Sequence, residues 1–401
     1  MTTHAPETHC MRVALAVLSL LVSGALHAQA TDASRKLAQD AVIVDTHIDA
    51  PELAMDDWFD LGNLTPKREF DYPRAHEGGL DVAWMSIFTS NDADLEGKAY
   101  TLANNQIDFV VSLAARHPDK FALLRSPKDV DRLRAGGKVL LPMGMENGAP
   151  IGDDLKNVQF FFDRGIRYMT LAHGGNNRIS DSSYQRAGKW GGLSPFGEQV
   201  VKEMNRLGMI VDVSHLSDEA VRDILKLTKV PVVASHSGMR HFTPGFNRNM
   251  DDTLAKEVAQ HGGVVQISFG TVFLDAKAAK AFDQRRWTAE DMKRDGKSDA
   301  EISAFVKQWN KDHPAPVAHQ DAVLDQIDHA VKLMGIDHVG IGSDFDGVSG
   351  ELPEELKSAA DFPNLVAGLQ SRGYKDADIR KILGGNLLRV WGEVEAAAQT
   401  H

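Results

Sequence analysis

The chain has 401 residues, 43% hydrophobic and 25% charged, with 56 acidic and 44 basic side chains giving a formal net charge of −12. That composition builds an ordinary core, so disordered and fibrous classes are excluded, and the acidic balance argues against nucleic acid and anionic membrane as partners. A single cysteine, Cys10, leaves no intramolecular disulfide and no Cys-rich zinc scaffold.

From the N-terminus, residues 11–30 read MRVALAVLSLLVSGALHAQA. Arg12 supplies a positive flank, 13–26 is an apolar run short for a membrane span, and Ala28-Gln29-Ala30 is an A-x-A cleavage signal. Residues 1–30 are therefore read as a signal peptide, with Met11 a candidate start. The mature chain is expected to begin at Thr31, to contain no cysteine, and to be periplasmic or secreted. No later apolar stretch is long enough to span a bilayer. The closing LLRVWGEVEAAAQTH reads as an amphipathic helix without the hydrophobic tail of a GPI signal.

Beyond residue 40, apolar runs predict eight strands: 41–47, 81–88, 139–145, 166–172, 209–215, 230–236, 263–269 and 338–344. Continuous rather than alternating apolar runs suit parallel strands buried on both faces. Helices between them carry readable ends. Ser126-Pro127 opens one, Gly208 stops another after 196–207, Ser217 with Asp218 and Glu219 caps a third, and 251–261 ends at Gly262-Gly263. Eight strands alternating with helices predict a (β/α)8 TIM-like barrel over 31–401. The polar stretch at about 274–320 breaks the alternation. It is read as a helical insertion after the seventh strand, solvated or serving as a lid.

Active sites in such barrels lie at the C-terminal ends of the strands. The first strand ends in His47-Ile48-Asp49, the third in Glu146, the fourth in His173, the fifth in His215, the sixth in His236 and the eighth in Asp344. Each residue alone could be a satisfied core or turn group. Six of eight strands bringing His, Asp or Glu to one end of one barrel instead predict a metal site. Imidazoles with carboxylates and no thiolate suit zinc, and also tolerate manganese or cobalt. Five or more ligands exceed one tetrahedral ion with an open position, and match two ions sharing a carboxylate about 3.5–4 Å apart.

The segments VDTHIDAP, GMENG, YMTLAH, VDVSH, VVASHS, NRNMDD, VGIGSDFDGV and GGNLLRVW, in this order from about 41 to 393, resemble the renal (membrane) dipeptidase family of dizinc metallopeptidases. The resemblance implies two Zn2+ ions: His47 and Asp49 on one, His215 and His236 on the other, and Glu146 bridging. It implies that His173 and Arg248 bind substrate and that Asp344 transfers protons, with Asp346 a nearby rival. Related barrel amidohydrolases use H-x-H and a carboxylated lysine on the fourth strand, and this chain has neither at those places.

The activity implied is dipeptide hydrolysis by a metal-bridged hydroxide, with Asp344 moving a proton to the leaving amine. Arg248 offers a planar fork for a terminal carboxylate. The alternative enzyme is a metal-dependent amide hydrolase acting on N-acyl amino acids or β-lactams. A non-catalytic solute- or metal-binding protein would be expected to lack a ligand or the acid, and no such position is lost here. Small dipeptides are the expected partners, and a homodimer is among the expected assemblies.

Overall fold

The strands in chain order are β1 (Ile43–Ile48), β2 (Leu80–Phe88), β3 (Phe121–Leu123), β4 (Val139–Leu141), β5 (Met143–Glu146), β6 (Ile166–Thr170), β7 (Ile210–Asp212), β8 (Val233–Ser237), β9 (Val264–Ile267) and β10 (Val339–Ile341). They come from a computed structural model that describes residues 1–2 and 28–398. Most of the expected signal peptide therefore lies outside the described residues. All pairings are parallel, in the order β10-β9-β8-β7-β6-β5-β2-β4-β3, with β1 also on β2. The strands are buried almost without interruption, as two-sided cover by helices requires.

The sheet closes on itself. Ile48 bridges Phe345 in parallel, the Asp344 amide donates to the His47 carbonyl at 3.2 Å, and the Asp49 amide donates to the Phe345 carbonyl at 2.9 Å. The Thr46 hydroxyl reaches the Ile341 carbonyl at 2.9 Å. The result is the predicted α/β barrel, with helices such as Pro195–Leu207, Asp218–Leu227 and Asp252–Gln260 capped by Ser194, Ser217 and Asp251. Gly208 ends the first of these with φ +74°, a left-handed turn that costs glycine little.

Two details differ from the predicted strands. The run 139–145 is two strands, β4 and β5, interrupted at Pro142, which has no N–H to donate. β2 pairs with both halves, Val82 with Leu140 and Met85 with Met143. The short β3 is not among the eight runs, because three residues, Phe-Ala-Leu, are too few to form a pattern. Between β9 and the helix Gln320–Met334 the chain forms three helices, the short Thr271–Leu274 and then Ala276–Arg294 and Asp299–Asp312.

The barrel floor is apolar. Val44, Val82, Leu140, Tyr168, Ile210, Val233 and Val264, mostly from strand beginnings, pack with Leu387, Val390, Trp391 and Val394 of the C-terminal helix Asn386–Ala396. Trp391 is fully buried, and its ring centre lies 4.7 Å from that of Trp84, which stacks at 5.3 Å on Tyr168. This floor supports the polar end above it. Trp391→Ala should cost about 3–5 kcal/mol of stability through the cavity it leaves. Denaturant unfolding checks this, and a loss under about 1 kcal/mol would show that the helix is not a structural plug.

Candidate metal centre and active site

Two buried aspartates fix the ends of the strands that carry the site. The Asp212 carboxylate accepts hydrogen bonds from the Ser214 amide (3.0 Å), the Ser235 amide (2.9 Å), the Ser235 hydroxyl (2.7 Å) and the Thr170 hydroxyl (2.5 Å). It thereby ties β6, β7 and β8. Asp45 does the same across the closure, accepting from the Ser343 amide at 2.9 Å and hydroxyl at 2.5 Å. Burial pushes the Asp45 carboxyl up to about 6, against the hydrogen bonds from Ser343. These crosslinks hold His47, His215, His236 and Asp344 at one rim.

Glu146, 3% exposed, lies at the centre of that rim. Its two carboxylate oxygens face different groups. Oε2 is 3.4 Å from His47 Nε2, and His47 Nε2 is also 3.4 Å from Asp49 Oδ2. Oε1 is 3.0 Å from His215 Nε2, 3.3 Å from His236 Nε2 and 3.5 Å from His173 Nε2. His215 Nε2 and His236 Nε2 approach to 2.7 Å. The H-x-D pair converges, although not by simple strand alternation. β1 ends at Ile48, and Asp49 starts the following helix as its N-cap with ψ +13°.

The surrounding hydrogen bonds assign two tautomers. The Tyr168 hydroxyl donates to the Thr46 carbonyl at 3.1 Å, so its oxygen accepts from His47 Nδ1–H at 2.9 Å. The Ser235 hydroxyl donates to Asp212, so its oxygen accepts from His236 Nδ1–H at 2.9 Å. In neutral imidazoles both Nε2 atoms are then unprotonated acceptors. Both aim at a carboxylate that is itself only an acceptor. His47 Nε2 and Asp49 Oδ1 are buried with no hydrogen-bond partner. Acceptors converging on acceptors in a dry site fit cations held between them, and such outer hydrogen bonds are what orient metal-binding histidines. His47, Asp49 and Glu146 could hold one ion, and Glu146, His215 and His236 a second.

Electrostatics agree with ligand states at His215, His236 and Glu146, whereas at His47 burial is outweighed by Tyr168, Asp49 and Glu146, which push its pKa well above the usual imidazole value. Burial, with the positive Arg248 beside His215 and His47 beside His236, holds both imidazoles well below their usual pKa. Burial opposes the charged form of Glu146, but His47 and His173 hold it well below the usual carboxylate range. Asp344 is the opposite case: burial, reinforced by Asp49 and Glu146 and opposed by His47 and Arg248, pushes it well above that range. His215 and Asp344 have φ of +68° and +67°, a left-handed conformation uncommon outside glycine and often found where side chains are aimed at a site.

The sequence profile described as Membrane dipeptidase (Peptidase family M19) matches residues 31–401. This chain belongs to the membrane dipeptidase family. Dipeptidase tcpJ of Claviceps purpurea is 32% identical over 293 residues, 73% of this chain and 60% of that relative. Dipeptidase aclJ of Aspergillus oryzae is 30% identical over 339 residues, 83% of this chain and 71% of that one. The chain thus spans 60% of the length of the Claviceps relative. The crystal structure of the probable dipeptidase PvdM from Pseudomonas aeruginosa superposes with a TM-score of 0.80 at 28% identity, covering 91% of this chain and 98% of that one.

The remaining expected residues of this family member divide by position. His173 and Asp344 line a pocket of about 310 Å³ with Asp49, Glu146, His215 and His236. Arg248 is only 3% exposed and packs beside that wall. Its Nη1 donates to the Ser237 hydroxyl at 2.9 Å, and its Nη2 to the His236 carbonyl at 2.6 Å and His215 Nε2 at 2.9 Å. Its Nε is buried and unpartnered. Asp346 faces away, accepting from the Glu69 amide at 3.0 Å while its own amide donates to the Glu69 carboxylate. That anchors the 344–347 loop.

Sequence reasoning did not single out several contributors. Tyr168 and Ser235 orient His47 and His236 from inside apolar strands, where nothing marks them. Gly347 leaves room for the site, since a Cβ there would lie 2.1 Å from Asp49 Oδ2 and 2.5 Å from Asp344 Oδ1; the D-F-D-G motif was its signal. Glu52, Tyr184 and Phe88 also line the pocket. Burial, then Asp49 and Glu146, push Glu52 up to about 7.

Tyr168→Phe keeps the ring but removes the acceptor for His47 Nδ1–H. Metal affinity should fall about 10–100-fold with the fold retained. Metal titration of the apo protein with circular dichroism checks this, and unchanged affinity would contradict the tautomer assignment.

Proposed function

We propose that this chain is a zinc-dependent dipeptidase with two ions per chain, exported to the periplasm or secreted after loss of residues 1–30. The observation carrying the reading is the division of the Glu146 carboxylate, with Oε2 toward His47 and Asp49 and Oε1 toward His215 and His236. The donor set of imidazoles and carboxylates without thiolate suits zinc. Bound ions would supply acidification of a water and polarisation of the scissile carbonyl.

The chain's own residues supply the rest. His173, one-quarter exposed at its side chain and edge-on to Phe88 with ring centres 4.6 Å apart, is oriented into the pocket to donate to the carbonyl oxygen as negative charge grows there. Arg248 holds a cation beside the ligand histidines, suited to the substrate's terminal carboxylate. Asp344 takes a proton from the attacking water at a carboxylate oxygen. It returns that proton to the amide nitrogen as the C–N bond breaks, giving one free carboxylate and one free amine. Its place in the pocket wall beside Asp49, Glu146, His215 and His236 suits a group that must reach both the water and the leaving nitrogen.

Asp344→Asn should lower kcat about 10²–10⁴-fold with KM little changed and metal content intact. Asp346→Asn, which loosens a loop anchor, should act mainly on stability. Steady-state kinetics with elemental analysis of both variants checks the assignment. A metal-replete, fully active Asp344→Asn enzyme would overturn it, and loss of metal in that variant would make Asp344 a ligand instead.

A further inference from the structure

The insertion between β9 and β10 forms part of the pocket wall. Phe282 and Arg285 from the helix Ala276–Arg294 and Asn310 from the helix Asp299–Asp312 line the same 310 Å³ pocket as the metal cluster. The hairpin is fastened over the site by ion pairs from Arg186 to Asp291 (2.9 Å) and from Lys293 to Asp92 (3.0 Å). Arg286 also stacks over the Tyr184 ring at 5.0 Å.

Arg285 stands apart from the other arginines of this hairpin. Arg286 pairs with Asp283 and Glu290, and Arg294 pairs with Asp291 and Asp295. Arg285 makes no ion pair within 4.0 Å among the described residues. Its Nη1 donates to Asn310 Oδ1 at 2.5 Å, and its guanidinium lies 5.0 Å over the Phe282 ring. It is thus oriented by a neutral side chain and an aromatic face, and its other donors make no hydrogen bond to the described residues. Burial lowers its pKa somewhat while Glu351, on the facing loop, acts in the opposite direction. A half-desolvated guanidinium fork with unused donors recognises a carboxylate.

We propose that Arg285 is a specificity-determining residue that binds a second carboxylate on the substrate, so the site favours dipeptides with an acidic side chain. This rests on the dipeptidase reading above. The terminal carboxylate lies within one residue of the scissile bond, near the metal cluster that Arg248 contacts. Arg285 lies on the insertion, so the group it meets is one extending away from the reacting bond. Among the described residues lining that pocket Arg285 is the one arginine or lysine, so it is the cation such a group meets there.

The test compares Ala-Glu with Ala-Gln and Glu-Ala with Gln-Ala, each in both second-position stereoisomers, on the metal-loaded full chain. These pairs differ in charge and scarcely in size. The wild type should show kcat/KM about tenfold or more higher for the acidic member of at least one pair. Arg285→Ala should bring that ratio near one, mainly through KM, while the neutral dipeptide stays within about twofold. Arg285→Glu should invert it. A wild-type ratio of one, or an equal loss on acidic and neutral dipeptides in Arg285→Ala, would overturn the proposal; the second result would assign Arg285 to the terminal carboxylate. Failure to hydrolyse any dipeptide would instead sink the dipeptidase reading and this proposal with it.

Discussion

A buried carboxylate surrounded by imidazole lone pairs is the constraint on which this structure turns. Glu146, His47, His215 and His236 present acceptors to one another at 2.7–3.4 Å in a site of negligible exposure. Such an arrangement is costly, because buried acceptors lose water, and Arg248, 2.9 Å from His215 Nε2, offsets only part of that cost. Cations between the acceptors would convert the cost into binding energy, and metal affinity would then be part of the stability of the rim. The barrel makes this arrangement affordable. Its apolar floor of Trp84, Tyr168 and Trp391 carries the packing, so the polar rim need not.

Orientation comes from a few hydrogen bonds that are neither ligands nor pocket wall. Asp212 acts on His236 through the Ser235 hydroxyl, and Tyr168 acts on His47 from inside β6. Asp45 and Asp212 also crosslink neighbouring strand ends, so the ring positions are set by the same bonds that finish the sheet. Fold and site are therefore not separable at this end of the barrel. The left-handed backbone at His215 and Asp344 is the local strain that such over-determined surroundings can hold.

Much of this was legible in the sequence, for physical reasons that differ by element. Parallel strands buried on both faces are written as continuous apolar runs, so the barrel is readable, and the His, Asp and Glu residues that gather at its rim follow from where each run ends. The division of 139–146 into two strands was visible only as Pro142. Asp49 was read as a strand neighbour of His47, whereas the turn into the next helix brings the two together. Tyr168 and Ser235 look like ordinary strand residues, because a hydrogen bond to His47 or His236 leaves no pattern along the chain. Arg285 was one charge among many in a polar stretch, and its separation from any carboxylate exists only in three dimensions.

The proposed two-ion centre rests on Glu146 as the shared ligand. The direct measurement is metal per chain by elemental analysis, with affinities by titration, for the wild type and Glu146→Gln after stripping and reloading with zinc. The wild type should hold close to two ions, and Glu146→Gln should weaken both together, since one carboxylate serves both. A wild type that holds a single ion, or a Glu146→Gln protein that keeps one ion at wild-type affinity, would contradict the shared-carboxylate centre.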